Sequence, residues 1–177
     1  MVSAKSSDAG ARYVFLFIGD GMGAVERNAA ELYLAGMRQS KGDDSPRDSQ
    51  LVMNSFPAQG EIQTNSQSGV TDSAAAGSAL ATGHKTTNGT VAMDGDGKIK
   101  YDSIAKLAKG DGMKVGIVTS AFLEDATPAV FYAHAPKRTQ HYDIALQLSE
   151  SGFDYFGGGG FRNPSGKDKK QKSVLDQ

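Results

Sequence analysis

The chain has 177 residues, with 19 lysines and arginines against 20 aspartates and glutamates, so its formal net charge is −1. This balance gives no reason to expect nucleic acid or an anionic membrane as a partner. Because cysteine is absent, disulfides and thiolate metal sites are excluded, and any metal must be held by carboxylate, hydroxyl or imidazole groups.

The N-terminal region predicts a polar lead-in followed by a buried strand. Residues 1–12 are polar and predict a disordered lead-in, and they lack the apolar core of a secretory signal. No later run is apolar for long enough to span a membrane. Residues 13–18, YVFLFI, are continuously apolar, which predicts a strand buried in a largely parallel sheet.

A glycine-rich turn ends this predicted strand. Asp20 lies between two glycines that let ligand and backbone approach closely, and its carboxylate suits a hard cation or zinc. The alternative is an ordinary turn aspartate. Residues 19–24 also fit the loose dinucleotide fingerprint G-x-G-x-x-G/A, which leaves a nucleotide-binding module as a further alternative. Against that alternative, no second strand ending in an acidic residue follows the helix predicted over 24–34.

Residues 69–83, GVTDSAAAGSALATG, predict a small alanine-rich helix that starts near Asp72 and Ser73 and stops at Gly83. The first N–H groups of a helix lack internal partners and, together with the helix dipole, attract anions such as phosphate. A deprotonated serine hydroxyl at that position could attack a bound phosphoryl group. The alternative is that Asp72 and Ser73 only cap the helix, since both residue types are favoured there.

The rest of the chain alternates between predicted strands and helices. Strands are predicted over 60–64, 115–119 and 153–156, a turn-rich stretch over 84–100, and helices over 103–109, from Thr127 or Pro128, and over 141–149. Four glycines, 157–160, end the last strand. This alternation predicts an α/β fold, in which ligands gather at the carboxyl ends of parallel strands.

Glu124, Asp125 and Thr127 form a second polar cluster. One interpretation is a helix start, capped by Thr127 with Pro128 in the first turn. The other is that the Thr127 hydroxyl and nearby carboxylates hold Mg²⁺, which prefers oxygen ligands. Arg138 could grip two phosphate oxygens, although a lone arginine is usually solvated. The histidines are interpreted as turn, surface or packing residues rather than metal ligands: His84, His134 and His141.

Three segments resemble the alkaline phosphatase family, in the family's order. Residues 17–23, FIGDGMG, are similar to its first metal-binding segment, and residues 70–75, VTDSAA, to its nucleophile motif. Residues 125–129, DATPA, with Arg138 after them, resemble its magnesium and phosphate-clamp segment. The resemblance runs over residues 13–161 and implies a three-layer α/β sandwich with a largely parallel central sheet. It favours a phosphatase over the sulfatases and cofactor-independent phosphoglycerate mutases that share this fold.

The resemblance implies a phosphate monoester hydrolase that acts through a phosphoserine on Ser73, at a site with two Zn²⁺ and one Mg²⁺. Arg138 would hold two phosphate oxygens, and Asp72 would flank the nucleophile and orient that arginine. The implied metal-binding residues are Asp20 for one zinc and the magnesium, Ser73 for zinc, Thr127 for the magnesium and Asp125 in its outer shell. Phosphate monoesters and inorganic phosphate are the implied partners, with a homodimer in the full-length parent and a periplasmic or secreted location.

The sequence departs from the family pattern in its histidines. The family takes further Asp and His zinc ligands, in D-x-x-x-H and D-H patterns, and a magnesium-binding Glu from a C-terminal half. None of the three histidines here lies in such a pattern. We therefore expect an N-terminal fragment, inactive alone, with residues 13–161 as part of a single domain and 162–177 as a truncated polar tail. The alternative function is a non-catalytic fragment with residual phosphate or metal binding.

Overall fold

The computed structural model describes residues 11–42 and 49–176. The chain divides into two compact units, Met1–Pro57 and Ala58–Gln177. The lead-in predicted over 1–12 lies outside the described residues except for its last two positions. Among the described residues, no helix is long and apolar enough to cross a bilayer.

Helix α1, Ala24–Gln39, is the main element of the first unit. The Glu26 carboxylate accepts the N–H of Gly23 at 2.9 Å, which satisfies one of the donors that a helix leaves open at its start. The helix extends beyond the predicted range of 24–34, and Gly36 lies inside it rather than at its end. A glycine lowers helix stability by about 1 kcal/mol relative to alanine and does not by itself end a helix.

A short 3-10 helix, Val52–Ser55, follows α1 in the first unit. The Asn54 side chain donates to Glu31 at 2.6 Å and accepts from Arg27 at 2.8 Å. Glu31 also accepts the N–H of Leu51 at 2.9 Å, and this bond is the largest cause of its lowered pKa. Polar contacts thus join the two helices, and no residue of α1 is buried.

Two segments predicted as strands are not strands in this structure. Residues 13–18 and 60–64 have no strand assignment, and their apolar side chains are exposed, Phe17 by 91% and Ile62 by 77%. An apolar pattern indicates that a segment can be buried, whereas a strand also needs a neighbour for its backbone N–H and C=O groups. Both predictions are therefore wrong for the described chain.

Helix α2, Ser73–Thr82, lies in the second unit and begins and ends where the sequence predicts. Asp72 is its N-cap, and Gly83 ends it with a φ of 76°, a left-handed conformation that suits glycine. Its small residues allow close packing, since a Cβ on Gly77 would lie 3.1 Å from Val130 Cγ2. The small residues of α2 therefore let the helix pack closely against the core.

The turn-rich stretch predicted over 84–100 is confirmed and is attached to α2. Gly89 has a φ of 85°, as the tight turn requires. The hydroxyl of Ser78, buried in α2, donates to the Thr90 carbonyl at 3.1 Å and accepts the N–H of Ala92 at 2.8 Å. These bonds satisfy a buried hydroxyl and hold the turn beside the helix.

The sheet of the second unit has two parallel strands, β1, Gly116–Val118, and β2, Tyr155–Gly157. They lie close to the strands predicted over 115–119 and 153–156, and Ile117 pairs with Phe156. The remaining α-helices are α3, Ile104–Gly110, α4, Ala126–Ala129, and α5, His141–Glu150, and a second 3-10 helix spans Val174–Asp176. A parallel pair joined through helices is the local pattern of an α/β fold, which confirms the predicted fold class.

Asp154 connects the end of α3 to the start of the sheet. Its carboxylate accepts Lys109 Nζ at 2.7 Å, the N–H of Val115 at 2.9 Å and Lys114 Nζ at 2.9 Å. These bonds, that of Lys109 first, hold the pKa of Asp154 well below its ordinary value.

The core of the second unit is made of small and medium apolar side chains. Helices α2 and α4 pack directly against each other within it. The buried cluster consists of Ala74, Ala81, Val91, Ala126, Ala129, Val130, Phe131, Tyr132, Ala133, Ala135 and Ile144. Polar residues just outside this core, at the starts of α2 and α4, form the candidate site.

Candidate functional site

The Asp72 carboxylate joins the start of α2 to its surroundings. Its Oδ1 accepts the N–H of Ala75 at 2.9 Å, which is the capping bond of the helix. Its Oδ2 accepts the N–H of Gly89 at 3.1 Å and a guanidinium N–H of Arg138 at 3.2 Å. Burial alone would raise the pKa of Asp72, but these hydrogen bonds outweigh it and hold the pKa below its ordinary value. Asp72 therefore stays ionised.

Ser73 follows this cap as the first residue of α2, and it is partly exposed. The capping interpretation is thus correct for Asp72. It does not compete with a chemical role for Ser73, because the two neighbours occupy different positions of the helix start. A partly exposed hydroxyl at a helix N-terminus can be reached by an anion in solution.

The cap of α4 is Asp125 rather than the predicted Thr127. Asp125 Oδ1 accepts the N–H of Ala126 at 2.9 Å, and Thr127 is the second helical residue. Aspartate is at least as good an N-cap as threonine, and Pro128 is tolerated in the first turn because an N–H there has no helical partner. Asp125 and Thr127 are both partly exposed.

Arg138 joins the two caps. Its Nη1 lies 3.2 Å from Asp72 Oδ2, and its Nη2 lies 3.1 Å from Asp125 Oδ1. Its own N–H donates to the Gly89 carbonyl, which fixes the backbone as well. The guanidinium has five donors, so two carboxylates leave it able to offer others to an anion. The structure thus brings together three of the predicted site residues, Asp72, Asp125 and Arg138. Asp72 and Arg138 are separated by 66 positions in the sequence.

Two residues of this region have contacts that the sequence analysis did not predict. Arg162 Nη2 lies 3.8 Å from Asp125 Oδ2, and its guanidinium carbon lies 5.0 Å from the centre of the Phe122 ring. Glu124 is 1% exposed and accepts the N–H of Arg162 at 2.5 Å. The only sequence signal was the glycine run before Arg162, which indicates a close backbone approach but not its target.

The other residues to be placed are Asp20, in the first unit, and the histidines of the second unit. Asp20 lies in the first unit, in the exposed turn before α1. In the second unit the His84 ring stacks on Tyr101 with centroids 4.2 Å apart, and His134 Nε2 lies 3.0 Å from the Tyr101 carbonyl. Within residues 11–42 and 49–176, no group of three or more His, Asp or Glu side chains is arranged to hold a metal ion.

A family model described as alkaline phosphatase matches residues 11–155. The chain belongs to the alkaline phosphatase family. The matched range contains all three segments on which the resemblance rests, and the predicted family is therefore confirmed.

Alkaline phosphatase relatives match most of this chain. Alkaline phosphatase 4 of Bacillus subtilis (strain 168) is 37% identical over 148 residues, covering 81% of this chain and 30% of that protein. The streptomycin-6-phosphate phosphatase of Streptomyces griseus is 38% identical over 141 residues, covering 76% of this chain and 29% of that protein. The chain therefore spans about a third or less of the length of these curated relatives.

A solved structure extends the likeness to the fold. A mutant of the alkaline phosphatase from the Antarctic bacterium TAB5, with Mg bound in its M3 site, matches with a TM-score of 0.65 at 37% identity. The match covers 70% of this chain and 36% of that chain. The α/β alkaline phosphatase fold predicted from the motifs is thus confirmed for the part that the chain contains.

Proposed function

We propose that the complete gene product hydrolyses phosphate monoesters, with Ser73 as the nucleophile. The supporting observation is the position of Arg138, which is bonded both to the cap of the helix that starts with Ser73 and to the cap of α4. One connected set of hydrogen bonds thus joins Asp72, the residue before Ser73, to the helix N-terminus and to the Arg138 guanidinium. Such an arrangement suits a phosphoryl group, which needs positioning and charge stabilisation more than covalent help.

The chemistry has two steps. Ser73 Oγ attacks phosphorus, a P–O bond to the serine forms, and the bond to the ester oxygen breaks as the alcohol leaves. Water then attacks the phosphoserine, which frees the serine and releases inorganic phosphate. The N–H groups of Arg138 and of the α2 terminus would stabilise charge on the equatorial oxygens throughout. Because hydrogen bonds hold its pKa below the ordinary value, the Asp72 carboxylate is a weak proton acceptor, which suits it to holding Arg138 in place rather than to acting as a base.

The proposed metal ions are Zn²⁺ and Mg²⁺. When bound, they would make the serine hydroxyl more acidic and stabilise the leaving oxygen. Asp125, Thr127 and Ser73 present only oxygen donors, which is the chemistry that Mg²⁺ prefers. Asp20, in the first unit, is a further proposed metal-binding carboxylate. Zinc also commonly takes imidazole ligands, which this set of oxygen donors does not include.

The nucleophile is tested by Ser73→Ala in the complete gene product, assayed on p-nitrophenyl phosphate with Zn²⁺ and Mg²⁺ present. We expect the turnover number to fall by about a thousandfold or more, since the phosphoserine cannot form. Ser149→Ala, which removes an exposed hydroxyl from α5, is the matched control and should retain wild-type activity. A Ser73→Ala enzyme within a few-fold of wild type would overturn the assignment.

The second candidate concerns the 177-residue chain by itself. We propose that it binds inorganic phosphate through Arg138 and the start of α2 but does not turn over esters, because its oxygen donors do not complete two zinc sites. Titration calorimetry with inorganic phosphate, run on this chain and on its Arg138→Ala variant, tests the binding. Ester hydrolysis by this chain that disappears in Ser73→Ala would contradict the proposal.

A further inference from the structure

The glycines after β2 lie against the loop that follows β1. Gly159 donates its N–H to the Ala121 carbonyl at 2.8 Å, and the Gly160 carbonyl accepts the N–H of Leu123 at 2.9 Å. A Cβ on Gly158 would lie 2.9 Å from Leu123 Cδ2, and one on Gly159 would lie 3.0 Å from the Ala121 oxygen. A Cβ at either position would therefore force its neighbours to shift. The glycine run therefore lets two loops lie side by side.

Glu124 fixes the backbone of Arg162, two positions after the glycine run. It is 1% exposed, and its Oε1 accepts the N–H of Arg162 at 2.5 Å. Its other oxygen, Oε2, is also buried and has no hydrogen-bond partner within the described part of the chain. Burying a carboxyl group is unfavourable unless hydrogen bonds compensate for the lost water, so this short bond fixes the position of the Arg162 backbone.

The Arg162 side chain then reaches Asp125. Its Nη2 lies 3.8 Å from Asp125 Oδ2, while Asp125 Oδ1 accepts from Arg138 at 3.1 Å. The guanidinium also lies over the Phe122 ring, 5.0 Å from its centre, which limits its movement. Asp125 is therefore shared by two guanidinium groups, one on each carboxylate oxygen.

We propose that Arg162 is a positioning residue for Arg138 and acts through Asp125. With Arg162 present, both oxygens of Asp125 are attracted to fixed cations, so the carboxylate cannot rotate freely. Arg138 is then held by two fixed acceptors, Asp72 and Asp125, and points its remaining donors in one direction. Pre-organised donors lose less entropy when an anion binds. The consequence for phosphate rests on the proposed function, whereas the coupling between the two arginines does not.

The coupling is tested in the 177-residue chain by NMR of the arginine Nε–Hε groups. Arg162→Ala should shift or broaden the Arg138 signal, and Arg162→Lys should restore it in part, because a 3.8 Å contact is ionic rather than a directed hydrogen bond. Lys167→Ala is the matched control, since this exposed lysine lines the same cleft as Arg162 and its loss changes the net charge equally. An Arg138 signal that responds no more to Arg162→Ala than to Lys167→Ala would overturn the proposal.

The consequence is tested by the affinity of the metal-loaded complete gene product for inorganic phosphate. We expect Arg162→Ala to raise the Kd about three- to tenfold, and we expect this effect to vanish when Asp125 is already Ala. An effect that persists in the Asp125→Ala background would mean that Arg162 contacts phosphate itself, which contradicts action through Asp125. If the wild type binds no phosphate while the NMR coupling is present, the proposed function fails and the positioning of Arg138 stands.

Discussion

Arg138 is the residue on which the candidate site depends most, because it is bonded to both helix caps and its side chain is still 32% exposed. We expect Arg138→Ala in the complete gene product to weaken inorganic phosphate binding by about ten- to a hundredfold, as loss of a charge-assisted bidentate contact requires. Arg138→Lys should fall between, since one ammonium cannot span both carboxylates as a planar guanidinium does. Calorimetry measures the Kd, with exposed Lys137→Ala as the control. Equal Kd values for Arg138→Ala and Lys137→Ala would contradict the role.

Individual residues of the candidate site differ in how far the sequence alone could identify them. Asp72, Asp125 and Arg138 could be singled out because their residue types and local motifs carry the chemistry, and the structure brings all three together. Arg162 could not, since its place beside Asp125 follows from two loops packing through a glycine run rather than from any local pattern. Ser73, Thr127 and Asp20 keep their proposed roles as predictions.

The Asp72 carboxylate matters for the stability of helix α2 as a whole. It caps the helix and also accepts hydrogen bonds from the Gly89 N–H and the Arg138 guanidinium. We expect Asp72→Ala to lower the free energy of unfolding of the 177-residue chain by about 1–2 kcal/mol at pH 7, through loss of the cap. Asp72→Asn keeps an acceptor for the Ala75 N–H and should lose less. Urea unfolding followed by circular dichroism measures both.

The pH dependence separates charge from capping at Asp72. Its folded pKa is depressed, so its charge contributes stability above the unfolded pKa of about 4, and this contribution is lost as the pH falls through the lower folded value. The stability difference between wild type and Asp72→Asn should therefore be largest near neutral pH and shrink below about pH 4. A difference that stays constant from pH 7 to pH 3 would show that the Asp72 charge does not stabilise the fold.

Elements differ in how far local sequence determines them. Helix α2 was predictable because alanine propensity, an N-cap and Gly83 all act within its own length. The predicted strands at 13–18 and 60–64 failed because a strand depends on partners distant in the sequence, and apolar side chains do not specify them. Strand β1 was found because its partner β2 lies in the same unit.

At the scale of the whole molecule, the exposed apolar segment in the first unit has the clearest consequence. Tyr13, Phe15 and Phe17 are 78%, 79% and 91% exposed, and they belong to an unbroken apolar run over 13–18. Soluble monomers rarely expose a large contiguous apolar patch, and a net charge of −1 offers little repulsion between copies. We therefore expect the 177-residue chain to associate with itself.

Sedimentation velocity over a range of protein concentrations measures this association. The wild type should show a concentration-dependent increase in mean sedimentation coefficient, because water is released when the exposed rings meet. Phe15→Lys combined with Phe17→Lys should abolish the increase by placing two charges in the patch. Thr139→Lys combined with Ser149→Lys, both at exposed sites outside the patch, adds the same two positive charges as a control and should leave association largely intact. A wild-type chain that remains a single monomeric species throughout would mean that the run over 13–18 is covered within one molecule in solution.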